Sequence, residues 1–121
     1  MMDSFSFFPH IFVNYWIGRT GGVFFHTKWG ETGWRPNGYE VQVNNTQEDW
    51  RKSGGLYGVV DNKEPFEDDT WMQYVIRVEK GVVTVSVNGK ELVDHTPKGE
   101  GNKLQKEGGA IALQAHDPGS E

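Results

Sequence analysis

Glu40 and Gln42 open the chemistry of this sequence. They lie in the stretch Gly38-Tyr39-Glu40-Val41-Gln42-Val43. Alternation along a strand sends Tyr39, Val41 and Val43 to one face and Glu40 and Gln42 to the other. The apolar set asks for a core. The polar set puts a carboxylate and an amide side by side, roughly 7 Å apart by strand rise. A second segment has the same character. In Ala110 to His116, Ile111, Leu113 and Ala115 face one way, and Ala110, Ala112, Gln114 and His116 face the other. Small residues on that second face leave room above a sheet for a ligand. Between the two, Trp50-Arg51-Lys52 reads either as a solvated loop with one anchoring Trp or as an electropositive rim able to steady an oxyanion. There is no Gly-rich phosphate loop, no HExxH and no GxSxG.

The elements that position these residues read as strands. The segment 1–20 is aromatic and broken by Pro9; Phe5 and Phe7 hint at a short strand, and Ile11 to Ile17 at one apolar on both faces. Gly21-Gly22 reads as a turn. Val23 to Thr27 follows as a strand, with Phe24 and His26 on one face; taken alone, His26 is a polar residue at a sheet edge. Lys28 to Asn37 is a loop whose Trp29 and Trp34 either stack on a ligand or close onto the core. Asn44-Asn45-Thr46 has the form of a glycosylation acceptor, a loose pattern. Gln47 to Gly55 reads as loop, Leu56 to Val60 as a short strand and Asp61 to Thr70 as an acidic loop. Trp71 to Val93 is an antiparallel meander: Met72, Tyr74, Ile76 and Val78 alternate with polar residues, Lys80-Gly81 turns, Val83, Val85 and Val87 alternate again, and Asn88-Gly89 is a strong hairpin signal. Asp94 to Gly108 reads as loop, and Asp117-Pro118-Gly119 as a closing turn.

Composition agrees with one all-β domain over residues 1–121. Sixteen Gly in 121 residues, without a collagen period, call for many turns. A net charge of −5 gives no general pull toward nucleic acid or anionic membranes. The absence of Cys rules out disulfides and thiolate metal sites and leaves the redox compartment open. No run of membrane-spanning length and no secretory signal is legible.

Several segments taken in order are similar to a known family. They are Gly22-Val23-Phe24-Phe25-His26-Thr27, Gly38 to Thr46, Asp49-Trp50-Arg51-Lys52, Leu56-Tyr57-Gly58, Val87-Asn88-Gly89 and Leu113 to Gly119. The sequence resembles the 3-keto-disaccharide hydrolase domain family from about Gly21 to the C-terminus, with 1–20 poorly matched. Gly-Tyr-Glu-Val-Gln and Leu-Gln-x-His are the specific segments. The resemblance implies a concanavalin A-like jelly-roll sandwich of antiparallel strands with a sugar groove on its concave face. Relative to the family the chain reads as incomplete at both ends. Exposed strand edges would then favour self-association. A periplasmic or secreted location is implied in the same way.

The implied reaction cleaves a glycoside oxidised at C3. The carbonyl acidifies C2–H; a base removes that proton, the glycosidic oxygen leaves C1, and water adds back. On this reading Glu40 is the base and His116 the acid, or else a ligand to a divalent ion; no cofactor beyond that ion is implied. Gln42 and Gln114 orient sugar hydroxyls, Arg51 or Lys52 helps hold the enolate, and His26 and Trp34 complete the substrate contacts. The partner is an oligosaccharide or glycoside. A two-carboxylate glycosidase is disfavoured because no second carboxylate shares a strand face with Glu40. Two alternatives stand beside the enzyme: a non-catalytic carbohydrate-binding module using the same groove, and an accessory scaffold domain pairing through its edges. Turnover of a 3-keto-glycoside separates the first two.

Overall fold

The computed structural model describes residues 10–13, 20–27, 38–105 and 109–115. They form nine strands: β1 (His10–Val13), β2 (Thr20–Thr27), β3 (Tyr39–Asn44), β4 (Lys52–Leu56), β5 (Val60–Asn62), β6 (Met72–Glu79), β7 (Val82–Val87), β8 (Lys90–His95) and β9 (Ala110–Ala115). A single 3-10 turn, Gly99–Gly101, is the only helical element among the described residues. All pairings are antiparallel. One sheet runs β1-β6-β7-β8 and the other β5-β4-β3-β2-β9, so the protein is a β-sandwich.

The alternation expected for the meander is what builds the interior. Met72, Tyr74, Ile76 and Val78 of β6 and Val83, Val85 and Val87 of β7 are buried, and the residues between them are at least partly exposed. They meet Val23, Phe25, Tyr39, Val41, Val43 and Leu56 from the other sheet in one apolar cluster. Each such side chain contributes about 1.5–3 kcal/mol on full burial. Tyr74 crosses this core and donates its hydroxyl to the Gln42 carbonyl at 2.9 Å, tying one sheet to the other beneath Gln42. Lys80-Gly81 and Asn88-Gly89 take positive φ at both positions (52° and 78°, 52° and 82°), the twist that two-residue hairpins need.

Three expectations change. Gly21-Gly22 is not a turn: both glycines lie inside β2, paired with Val43 and Gln42 on one side and Ala115 and Gln114 on the other. Leu56 to Val60 is not a strand but the tip of a hairpin, closed by the Val59 N–H on the Leu56 carbonyl at 2.9 Å. The strand comes earlier, over Lys52–Leu56. Its Gly54-Gly55 pair looks like loop chemistry, yet a Cβ on Gly55 would sit 2.6 Å from the Asn62 nitrogen, so close strand approach requires it. Phe5, Phe7 and residues 14–19 lie outside the described residues; of the N-terminal segment, His10–Val13 pairs with β6. On β9, Leu113 sits opposite Val23 in register yet is 73% exposed, and Ile111 is 47% exposed.

Candidate functional site

The outer face of the five-stranded sheet carries the polar residues singled out above. Register sets them in rows. Gln42 of β3, Gly22 of β2 and Gln114 of β9 lie side by side, and in the next row Glu40, Phe24 and Ala112 do the same. Glu40 and Gln42 on β3 and Gln114 on β9, strands that do not pair with each other, are joined through β2. Above them opens a groove of about 550 Å³ lined by Thr20, Gly21, Glu40, Gln42, Gln114, Tyr57 and the loop residues Gln47, Glu48 and Asp49.

Gly22 explains how the carboxylate is seated. A Cβ there would stand 2.3 Å from Glu40 Oε2 and 2.9 Å from its Cγ. Glu40 therefore folds across to the adjacent row, over the glycine that leaves space there between Gln42 and Gln114. Gln42 is 4% exposed and donates from Nε2 to the Arg51 carbonyl at 3.3 Å, which fixes its amide.

The loop after β3 is held by Asn44. This side chain is fully buried, donates to the carbonyls of Asp49 and Arg51, both at 2.8 Å, and accepts the Gln47 N–H at 3.0 Å. The glycosylation pattern at Asn44-Asn45-Thr46 thus falls on an amide that the folded chain encloses and uses. Asn45 is also buried and accepts from Ser53 Oγ at 2.8 Å and the Phe66 N–H at 3.2 Å. A loop tied at this many points can place Gln47, Glu48 and Asp49 along the groove.

The remaining residues fall as follows. His26 is 5% exposed, at a register shift between β2 and β9, and accepts the Gln105 N–H at Nδ1 (2.9 Å); it is not in the groove's lining. Burial, which makes the charged imidazolium costly, lowers its pKa below the ordinary histidine value. Arg51 and Lys52 stand beside the groove. Arg51 lies between the rings of Trp50 and Tyr57. Lys52 donates from Nζ to the Gln47 carbonyl at 2.8 Å. Trp34 and His116 lie outside the described residues. Sequence reasoning missed Tyr57, Gln47, Glu48 and Asp49. Glu48 and Asp49 bring to the groove the further carboxylates that no strand face supplies. Only the Tyr57 position carried a usable signal, since it follows the core residue Leu56 by one.

Among the described residues no three His, Asp or Glu side chains gather as a metal-binding group. The divalent-ion reading rests on His116, which lies outside the described residues. No described helix is long and apolar enough to cross a membrane.

Comparison of the sequence with curated proteins gives no match. The 3-keto-alpha-glucoside-1,2-lyase-like domain, in contrast, matches residues 10–121, from β1 through β9 and beyond, and the chain belongs to that family.

Proposed function

We propose that the groove binds a 3-keto-glycoside and cleaves it by elimination and hydration. Glu40 takes the C2 proton. The C2–H electron pair forms the C1=C2 bond, and the C1–O bond breaks with its electrons going to the leaving oxygen, which is protonated by His116. Water then adds across the double bond, its hydroxyl to C1 and a proton to C2. Gln42 and Gln114, on either side of Gly22, orient ring hydroxyls. The observation that carries this reading is the seat of Glu40: one strand carboxylate laid over a glycine between two amides on the floor of a groove. Family membership supports the substrate class.

A non-catalytic sugar-binding module is the second reading, favoured by the half-exposed Trp50 and Tyr57 at the groove's edge. The deciding experiment is turnover of 3-keto-glycosides by the purified protein and by Glu40→Gln. A general base removed in this way lowers the rate roughly 10²–10⁴-fold with the fold intact. Equal rates for the two proteins would remove Glu40 from the mechanism, and no turnover by the parent would leave the module.

A further inference from the structure

The groove has a lip that the proposed reaction leaves unused. Leu56 ends β4 fully buried in the core, and Tyr57, the first residue of the hairpin tip, lines the groove beside Glu40. Its N–H donates to the Glu40 carbonyl at 2.8 Å, which sets the two residues side by side. Tyr57 lines the groove and is 40% exposed; Trp50, beside the lining residue Asp49, is 50% exposed. The Arg51 guanidinium carbon sits 4.8 Å from the Trp50 ring centre and 4.7 Å from that of Tyr57. One cation thus bridges both rings. Two carboxylates hold it there: Asp49 Oδ1 lies 3.6 Å from Nη1, and Asp61 Oδ1 3.5 Å from Nε. Asp61 is itself anchored by accepting the Gly58 N–H at 2.9 Å, at the hairpin tip that carries Tyr57.

We propose that Tyr57 and Trp50, clamped by Arg51, form a second sugar subsite that takes a ring next to the one held over Glu40. The proposal rests on the reading that the groove holds a glycoside. An aromatic ring offers an apolar face to the C–H face of a pyranose, and this one is oriented before binding, so little freedom is lost on contact. Arg51 faces two rings and two carboxylates. It is a positioning residue that fixes the shelf. A planar guanidinium can lie flat on both rings, and a lysine ammonium cannot.

The test is calorimetric titration with methyl α-glucoside, a one-ring probe, and α,α-trehalose, a two-ring probe, each in its unoxidised and 3-keto form. The parent protein is expected to bind trehalose more tightly than the methyl glucoside in at least one form. Tyr57→Ala should weaken trehalose binding roughly 3- to 10-fold and leave methyl glucoside within about twofold. Tyr57→Phe should keep the two-ring advantage. Arg51→Lys should lose part of it without changing the one-ring affinity, an effect that general destabilisation would not produce. The subsite is overturned if the parent shows no two-ring advantage, if the advantage survives Tyr57→Ala, or if Tyr57→Ala weakens both probes alike. Binding of neither sugar removes the subsite and the proposed function together. A Tyr57-dependent two-ring advantage without turnover keeps the subsite and removes only the reaction.

Discussion

Gly22 is the residue on which the proposed chemistry depends most directly, although it carries no functional group. Its missing side chain is the space in which the Glu40 carboxylate lies. Gly22→Ala puts a methyl group into that space. Glu40 is long and partly exposed, so its carboxylate can swing away and the strand can persist. We expect a melting temperature within a few degrees of the parent and a rate about 10²-fold lower, the usual cost of displacing a reacting group by an ångström or so. If Glu40 acts as the base, Gly22→Ala combined with Glu40→Gln should be no slower than Glu40→Gln alone, because the two changes act on one group. Additive losses would place Gly22 in some other role. Alternation made Glu40, Gln42 and Gln114 legible in the sequence, since a period of two needs only the neighbours along the chain. It could not show that β2 joins them, because pairing is a property of distant segments. Gly21-Gly22 even pointed the other way. Two glycines in a row read as a turn, and only the carboxylate lying above Gly22 shows why a strand would contain them.

At the scale of elements, the site is a rigid sheet plus one tethered loop. The sheet was legible wherever one face is dry: β6, β7 and the Asn88-Gly89 hairpin alternate because the opposing sheet covers one side only. β4 was not legible, because its glycines answer to close neighbours in space: a Cβ on Gly54 would stand 2.3 Å from Leu92 on the facing sheet. The loop from Asn45 to Arg51 depends on Asn44, whose amide makes three hydrogen bonds to it. Asn44→Ala takes this partner from the Asp49 carbonyl and the Gln47 N–H and leaves the Arg51 carbonyl to Gln42 Nε2. The expected cost is about 1–3 kcal/mol in denaturant unfolding, from partly buried groups left without that partner. The loop should also loosen over the groove, so sugar affinity should fall, and Asn44→Asp should not restore it, because its second oxygen cannot donate to the Asp49 and Arg51 carbonyls. A variant with unchanged affinity would mean that Gln47, Glu48 and Asp49 do not need this tether.

For the whole molecule, β2 is the strand that carries both the floor of the groove and the joint to β9. The joint is His26. There the β2–β9 register shifts, the backbone takes φ 53°, and the ring is buried with its Nδ1 accepting the Gln105 N–H. The Phe25 ring meets it edge-on, with ring centres 6.1 Å apart. The segment that supplies Gln105 is pinned again by Tyr39, whose hydroxyl donates to the Gly101 carbonyl and accepts the Lys103 N–H. Burial makes the charged imidazolium costly here, so the folded-state pKa lies below the ordinary value of 6.5. Above about pH 6.5 both folded and unfolded chains hold His26 neutral, and its contribution to stability is complete. As the pH falls below that value the unfolded chain takes up a proton that the folded chain refuses. Stability then declines, by at most about 1.4 kcal/mol per pH unit, until the folded-state pKa is passed. Urea midpoints measured from about pH 8 to about pH 5 should show this decline, in a range where ordinary carboxylates, with pKa values near 4, contribute little. His26→Asn keeps a residue that tolerates positive φ and removes the titrating ring. It should flatten the profile across that window, whatever its effect on stability at pH 8. An unchanged slope in His26→Asn would assign the acid sensitivity to other groups.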